Sequence, residues 1–375
     1  MDLDLSPEQD LLRDTVRGLC ARHTDLTVVR QMEDDPVGYA AAFWGQLGEL
    51  GLLGMTIPED LGGSGMSAID AAVVYQEFGR SLAPSPHFVS SVVSAGAILR
   101  GGDDMRAAWL PSIADGSAIV TPAWLEPTGG YGPAGITARA SRDPGGGWRL
   151  DGTKRHVQYA GAAQRLLVLA RAPEGVTLLL VDPSAPGVTL TQQMTVASDS
   201  QYRVDLEGVR VADTDVVGEP GRGWAIWDQV MHDAIILLAA QAVGGARYAL
   251  EITAQYSKDR RQFDKPLAAF QSLSHYMADA VTKVDGAETL VWEAAWAKSM
   301  GRNIERLAPM AKLFACKTFR DVTAMAQQIF GGVGFTVDYD IQLYFRRAKQ
   351  LQLSWWDDRY LEELVAADVL DRSTA

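Results

Sequence analysis

Apolar residues recur at helical spacing through the first third of the chain. Ser6-Pro7-Glu8-Gln9 opens a helix with Ser at the N-cap and Pro at the first position, and Leu11, Leu12, Val16 and Leu19 make its apolar stripe. Further helices are predicted around Tyr39–Leu50, Ala68–Phe78 and Phe88–Arg100, parted by Gly- and Pro-rich breaks such as Ile57-Pro58-Glu59-Asp60-Leu61-Gly62-Gly63. After Gly116 the texture changes to short β-type runs: Trp148–Leu150, Arg165–Ala170, Val176–Val181, Val188–Thr191 and Tyr202–Leu206. Asp143-Pro144-Gly145-Gly146-Gly147 and Asp182-Pro183-Ser184 supply turns between them. Beyond Gly221-Arg222-Gly223 long helices return, and Ala239, Ala242, Val243, Ala246 and Leu250 keep an apolar face with small residues for close helix approach.

The order is helices, strands, helices, which reads as an α+β multidomain chain divided at 1–115, 116–220 and 221–375. The strands do not alternate with helices as a parallel α/β sheet demands, so any nucleotide cofactor is held without a Rossmann unit.

With 375 residues and 47% hydrophobic composition the chain has enough apolar surface for a sizeable core. A net charge of −13 opposes nucleic-acid binding, which draws on a basic face. The strictly apolar runs fall short of the roughly 20 residues of a membrane span. Cys20 and Cys316 are far apart in sequence and lack neighbours at metal-ligand spacing, so neither a disulfide framework nor a metal site is expected. The acidic start Met1-Asp2-Leu3-Asp4 does not resemble a leader, and a cytoplasmic protein is expected.

Two segments carry candidate chemistry. In Tyr256-Ser257-Lys258-Asp259-Arg260-Arg261-Gln262-Phe263-Asp264-Lys265-Pro266-Leu267, followed by Phe270-Gln271, Arg260 offers a bidentate cation for a diphosphate. In Gln328-Ile329-Phe330-Gly331-Gly332-Val333-Gly334, the Gly331-Gly332 pair lets backbone N–H groups come close to an anion. Gln262, Gln271 and Gln328 add neutral amides suited to ribose or adenine. Each segment alone reads more readily as a solvated charge cluster or a helix C-cap than as a cofactor site.

In order, and with residues 272–327 between them as room for two antiparallel helices, the pair resembles the acyl-CoA dehydrogenase family. That family's patterns are Y-x-x-x-R-x-Q-F-G-x-P-I-x-x-F-Q and Q-I-x-G-G-x-G-Y. Weaker matches are Ile57-Pro58-Glu59, Leu125-Glu126-Pro127, Leu150-Asp151-Gly152-Thr153-Lys154 and Val217-Gly218-Glu219-Pro220-Gly221-Arg222-Gly223. The resemblance implies an N-terminal helical domain, a middle β-barrel or sandwich domain and a C-terminal four-helix bundle. It also implies FAD, held by Arg260, Gln262, Phe263, Phe270, Gln271, Gln328, Gly331 and Gly332 across a subunit boundary. An acyl-CoA or acyl-carrier thioester would be the substrate, and an electron-transfer flavoprotein or another acceptor would take the electrons.

The departures fall on the catalytic side. Members of the family remove an α-proton with a carboxylate, usually the Glu of R-D-A-K-x-x-x-I-Y-E-G-T; aligned on Arg346-Arg347-Ala348-Lys349, Trp355 stands at that Glu. A minority place the base before an A-A-x-x-x-G run, here Ala239–Gly244, and that position is Ala234. Asp233 is the adjacent acid, about 100° around the helix, with Asp357 and Asp358 as further acids near the usual position. Where the family reads W-I-T against the flavin the chain has His156-Val157-Gln158, and Leu125 and Gly130-Tyr131-Gly132 replace a Thr and a G-S-D. Adenosine-side motifs are kept and base-side motifs eroded, which implies one subunit of a two-gene enzyme, a homo-oligomer using a displaced acid, or a catalytically inactive binding or scaffold homologue. The ending Gly334-Phe335-Thr336, Asp340, Leu343-Tyr344, Arg346-Arg347 resembles bacterial members acting on steroid side chains or other bulky acyl thioesters.

Overall fold

The structure, a computed structural model, describes residues 4–371. By internal contacts the chain forms two compact units.

One unit comprises residues 30–66 and 84–234. Its centre is a single sheet of β1 (Val120–Ala123), β2 (Arg139–Arg142), β3 (Trp148–Gln158), β4 (Arg165–Ala172), β5 (Gly175–Val181), β6 (Val188–Gln193), β7 (Gln201–Val211) and β8 (Val216–Val217). The hydrogen-bonded order is β6-β7-β3-β2-β4-β5-β8, with β1 also on β4. The sheet is mixed: β1 and β2 run parallel to β4, and the remaining pairs are antiparallel. Residues 166–170 of β4 and 176–181 of β5 are buried without alternation, as strands covered on both faces are.

The strand predicted at Trp148–Leu150 continues to Gln158. Its polar continuation, Asp151-Gly152-Thr153-Lys154-Arg155-His156, carries no strand pattern of its own; β7 pairs along it from Trp148↔Val211 to Gln158↔Gln201. Pairing slips twice, between Leu150 and Gly152 and between Lys154 and Val157. The helix predicted at Phe88–Arg100 is wound as a π-helix over Phe88–Ser94 before an α-helical turn, Ala95–Ile98.

The other unit comprises the described residues up to 29, residues 67–83, and those from 235 onward. Pro7–His23 begins with the expected cap: Ser6 accepts from the Gln9 backbone, and the Gln9 side chain reaches back to the Ser6 N–H. Ala68–Arg80 starts with the same reciprocal arrangement between Ser67 and Asp70. The Gly223–Asp259 helix contributes residues 223–234 to the first unit and 235–259 to the second. Gln271–Ser299, Leu307–Phe330, Ile341–Leu353 and Asp358–Leu370 follow it.

Ala239, Ala242, Val243, Ala246 and Leu250 are all buried, as the small-residue face requires. Gly79 and Gly244 let Ala68–Arg80 and Gly223–Asp259 touch backbone to backbone. A Cβ on Gly79 would lie 1.9 Å from the Gln241 carbonyl, and one on Gly244 would lie 1.9 Å from that of Gln76. Gly223–Asp259 is long and apolar enough to match a membrane span by composition, but 72% of its most apolar window is interior, the pattern of a core helix.

Candidate functional site

The residues expected on the adenosine side are gathered where Gly223–Asp259 ends. Arg261–Gln262 and Lys265–Pro266 pair antiparallel around a two-residue turn whose members, Phe263 and Asp264, both have positive φ (52° and 64°). Asp264, which replaces the Gly of the motif, sits at a left-handed position that Gly adopts without steric cost. Arg261 braces the turn by donating to the Asp264 carbonyl at 2.7 Å. Tyr256, one turn before Arg260, stacks on Phe330 with centroids 4.1 Å apart, which brings the Arg motif and the Gly331-Gly332 motif together.

These residues fit a dinucleotide. The exposed Arg260 guanidinium makes no ion pair or side-chain hydrogen bond among the described residues. Gln271 and Gln328 are likewise exposed, with uncommitted amides. Gly331 (φ 68°) and Gly332 have open space where a Cβ would stand. Phe263 is 87% exposed, and its ring edge meets Phe270 at 6.2 Å. A cation, neutral amides, open backbone and aromatic faces make the donor set of a diphosphate and adenosine.

The first unit holds the eroded half. Leu125-Glu126-Pro127 and Lys154, two weak matches in the sequence, meet in a buried ion pair: Lys154 Nζ donates to Glu126 Oε1 at 2.6 Å. The same carboxylate accepts from the Thr137 hydroxyl and from the Thr137 and Ala138 N–H groups at 3.0 Å. Burial works to raise the Glu126 carboxyl, but Lys154 and these donors hold it below its ordinary value; burial pushes Lys154 down to about 8 against the pull of Glu126. Around this pair Trp124 packs against Trp227 and Tyr131, with centroids 5.1 and 5.9 Å away. Thr137 and Ala138 carried no sequence signal, because their contribution is largely backbone.

His156 is exposed and Gln158 is half-buried, and both join a polar network on β7 and the loop before it. The His156 ring Nδ1 lies 2.8 Å from Gln201 Oε1, and Gln158 donates to Asp199 at 3.2 Å.

At the usual base position Trp355 is 7% exposed and Trp356 fully buried, both with positive φ (55° and 73°). The buried Lys312 donates to the carbonyls of Leu351 (3.1 Å) and Trp356 (2.8 Å), pinning this turn to the end of Ile341–Leu353. Burial pulls its ammonium below the ordinary lysine value, opposed by Cys316, Asp358 and Asp357. Asp357 is the N-cap of Asp358–Leu370, accepting from Tyr360 N–H at 3.0 Å, and Asp358 accepts from Gln352 at 2.5 Å. In the first unit Ala234 is buried, and Asp233 forms an ion pair with Arg100 at 2.9 Å.

Helical and β parts in this order, with a dinucleotide donor set of this kind, fit a flavoprotein of the oxidoreductase class. The chain belongs to the acyl-CoA dehydrogenase family, matching its N-terminal domain over residues 6–117, its middle domain over 122–209 and its C-terminal domain over 221–355. Enzymes of this family are FAD-dependent oxidoreductases. The chain is similar to the probable acyl-CoA dehydrogenase YngJ of Bacillus subtilis (strain 168), with 28% identity covering 94% of this chain and 95% of that one. Among solved structures it resembles the ChsE4-ChsE5 complex from Mycobacterium tuberculosis (TM-score 0.90, 26% identity, all of both chains). It also resembles a Tcur3481-Tcur3483 steroid ACAD variant (TM-score 0.86, 31% identity, 96% of this chain and 98% of that one). Bound FAD would supply the hydride acceptor, and Arg260 and the Gly331-Gly332 backbone are the groups that would hold its diphosphate.

Proposed function

We propose that this chain is the base-lacking subunit of a heteromeric, cytoplasmic acyl-CoA dehydrogenase. It brings Arg260, Gln262, Phe263, Phe270, Gln271, Gln328, Gly331 and Gly332 to the adenosine half of FAD at a subunit boundary, whereas its own flavin-facing segment, His156-Val157-Gln158, is altered. A homologous partner supplies the carboxylate that takes the α-proton, and the electrons leave to an electron-transfer flavoprotein. The substrate is a bulky, steroid-like acyl thioester, a reading supported by the Gly334–Arg347 pattern and by the likeness to the ChsE4-ChsE5 complex and the steroid ACAD.

The observation that carries this reading is the pairing of Trp355 and Ala234, both buried and neither able to accept a proton, with an uncommitted Arg260. Asp233 as a displaced base is disfavoured because its carboxylate is engaged by Arg100 at 2.9 Å. The test is the visible spectrum and turnover of the chain purified alone and with its homologue. Stoichiometric FAD and dehydrogenation only in the co-complex, with Arg260→Ala weakening FAD binding about 10-fold or more, supports the proposal. Full FAD occupancy and turnover by the chain alone refutes it, and a co-complex without FAD points instead to a scaffold.

A further inference from the structure

Four helices of the second unit meet around a cleft of about 280 Å³. Four arginines line it: Arg13 and Arg17 from Pro7–His23, Arg80 from Ala68–Arg80 and Arg247 from Gly223–Asp259. In a chain of net charge −13 such a gathering of cations is a local exception. Glu77 and Glu288 are the carboxylates on the same wall, which therefore carries a net charge of +2, four arginines less two glutamates. Asp10, Asp14, Glu251 and Asp285 pair with these arginines without lining the cleft.

The ion pairs fix each guanidinium and leave part of its donor set unused. Glu77, whose side chain is only 5% exposed, accepts from Arg17 Nε at 2.9 Å and Nη2 at 2.7 Å, and Nη1 is uncommitted. Glu251 takes both terminal nitrogens of Arg80, at 3.0 and 2.8 Å, while the guanidinium carbon lies 4.4 Å over the Tyr248 ring; Nε is uncommitted. Arg247 uses Nη2 for Asp285 and Glu288 and keeps Nε and Nη1. None of these remaining N–H groups has an acceptor among the described residues. Planar cations held in place on three helices, each with donors to spare, form a set suited to an oxyanion.

We propose that this cleft binds a small phosphomonoester. Such an ester presents three terminal oxygens and about two negative charges near neutral pH, which matches the charge of the wall and donors arriving from three helices. A carboxylate presents two oxygens and a single charge. Trp292, Val243 and Leu5 on the same wall give the organic substituent an apolar contact. The site lies within the second unit and uses neither Arg260 nor Gly331-Gly332, so it is independent of the flavin reading.

Calorimetric titration of the full chain, alone and in its co-complex, tests the proposal with phenyl phosphate as probe and inorganic phosphate and benzoate as comparisons. Phenyl phosphate should bind saturably, one per chain, and more tightly than either comparison. Arg247→Gln should weaken it about 10-fold or more. Arg13→Gln, which removes a charge but no spare donor, should weaken it about 2- to 4-fold. This second variant, at a half-exposed position, keeps the test open if the thermal midpoint shows that Arg247→Gln does not fold. Arg260→Ala should leave the affinity unchanged. No saturable binding, equal affinity for benzoate, or an affinity indifferent to both cleft variants overturns the proposal. Loss of binding in Arg260→Ala overturns it too, by assigning the phosphate to the flavin motif. Binding by the chain alone that vanishes in the co-complex makes the cleft a subunit contact and likewise overturns it. FAD occupancy of the co-complex, read from the visible band, judges the two-subunit proposal separately from all of these outcomes.

Discussion

The Lys312 ammonium lies 2.8 Å from the Trp356 carbonyl with no solvent exposure, so a buried cation holds the turn that carries Trp355. Lys312→Met keeps the aliphatic volume but leaves the Leu351 and Trp356 carbonyls short of a donor in the interior. Each buried unsatisfied group costs about 1–3 kcal/mol, so a loss of roughly 3 kcal/mol is expected from urea unfolding at pH 7. An unchanged midpoint would show that the two carbonyls find other donors.

The Phe263-Asp264 turn predicts a gain. Asp264 adopts φ 64°, a region with a steric cost for residues that carry a Cβ and none for Gly. Asp264→Gly should raise stability by about 0.5–1 kcal/mol, read as a higher thermal midpoint, with the adjacent Arg260 left exposed and able to bind. A lower midpoint would mean that the Asp264 side chain contributes more than its backbone strain costs.

The Glu126–Lys154 pair is buried on both sides, at 3% and 0% side-chain exposure. Lys154→Met strands the Glu126 carboxylate among its remaining donors and should cost about 3–5 kcal/mol. Adding Glu126→Gln should recover part of that loss, which a double-mutant cycle by chemical denaturation measures. Strictly additive losses would show that the two groups are uncoupled.

His87 sets an acid limit. Its ring is buried, with Nε2 donating to the Leu52 carbonyl at 3.0 Å, and burial lowers its pKa from 6.5 to about 4. Between those values the unfolded chain binds the extra proton and the folded chain does not. Stability from this group is therefore fully present above pH 6.5 and falls as the pH drops toward 4, by about 3 kcal/mol in all. Unfolding midpoints from pH 7 to pH 4 should show the decline, and His87→Gln should flatten it.

The sequence by itself determined the order of helices and strands, the capping of Pro7–His23 by Ser6 and the two flavin motifs, because each is written in local chemistry. Periodicity, a cap residue, a Gly pair and an Arg at fixed spacing are visible without knowing what packs on what. The family followed from them, and so did the lack of a carboxylate at 355 and 234. The tertiary structure decided what depends on partners distant in the chain. The polar run Asp151–Gln158 is a strand because β7 lies beside it, and Glu126 and Lys154 form a pair because two weak motifs converge in the interior. Asp233 is an ion-paired acid because Arg100 reaches it, and His156 is tied through Gln201 to the Asp199 carboxylate. Hydrogen-bond direction and desolvation belong to pairs of groups in space, and neither has a signature in the spacing of residues along one chain.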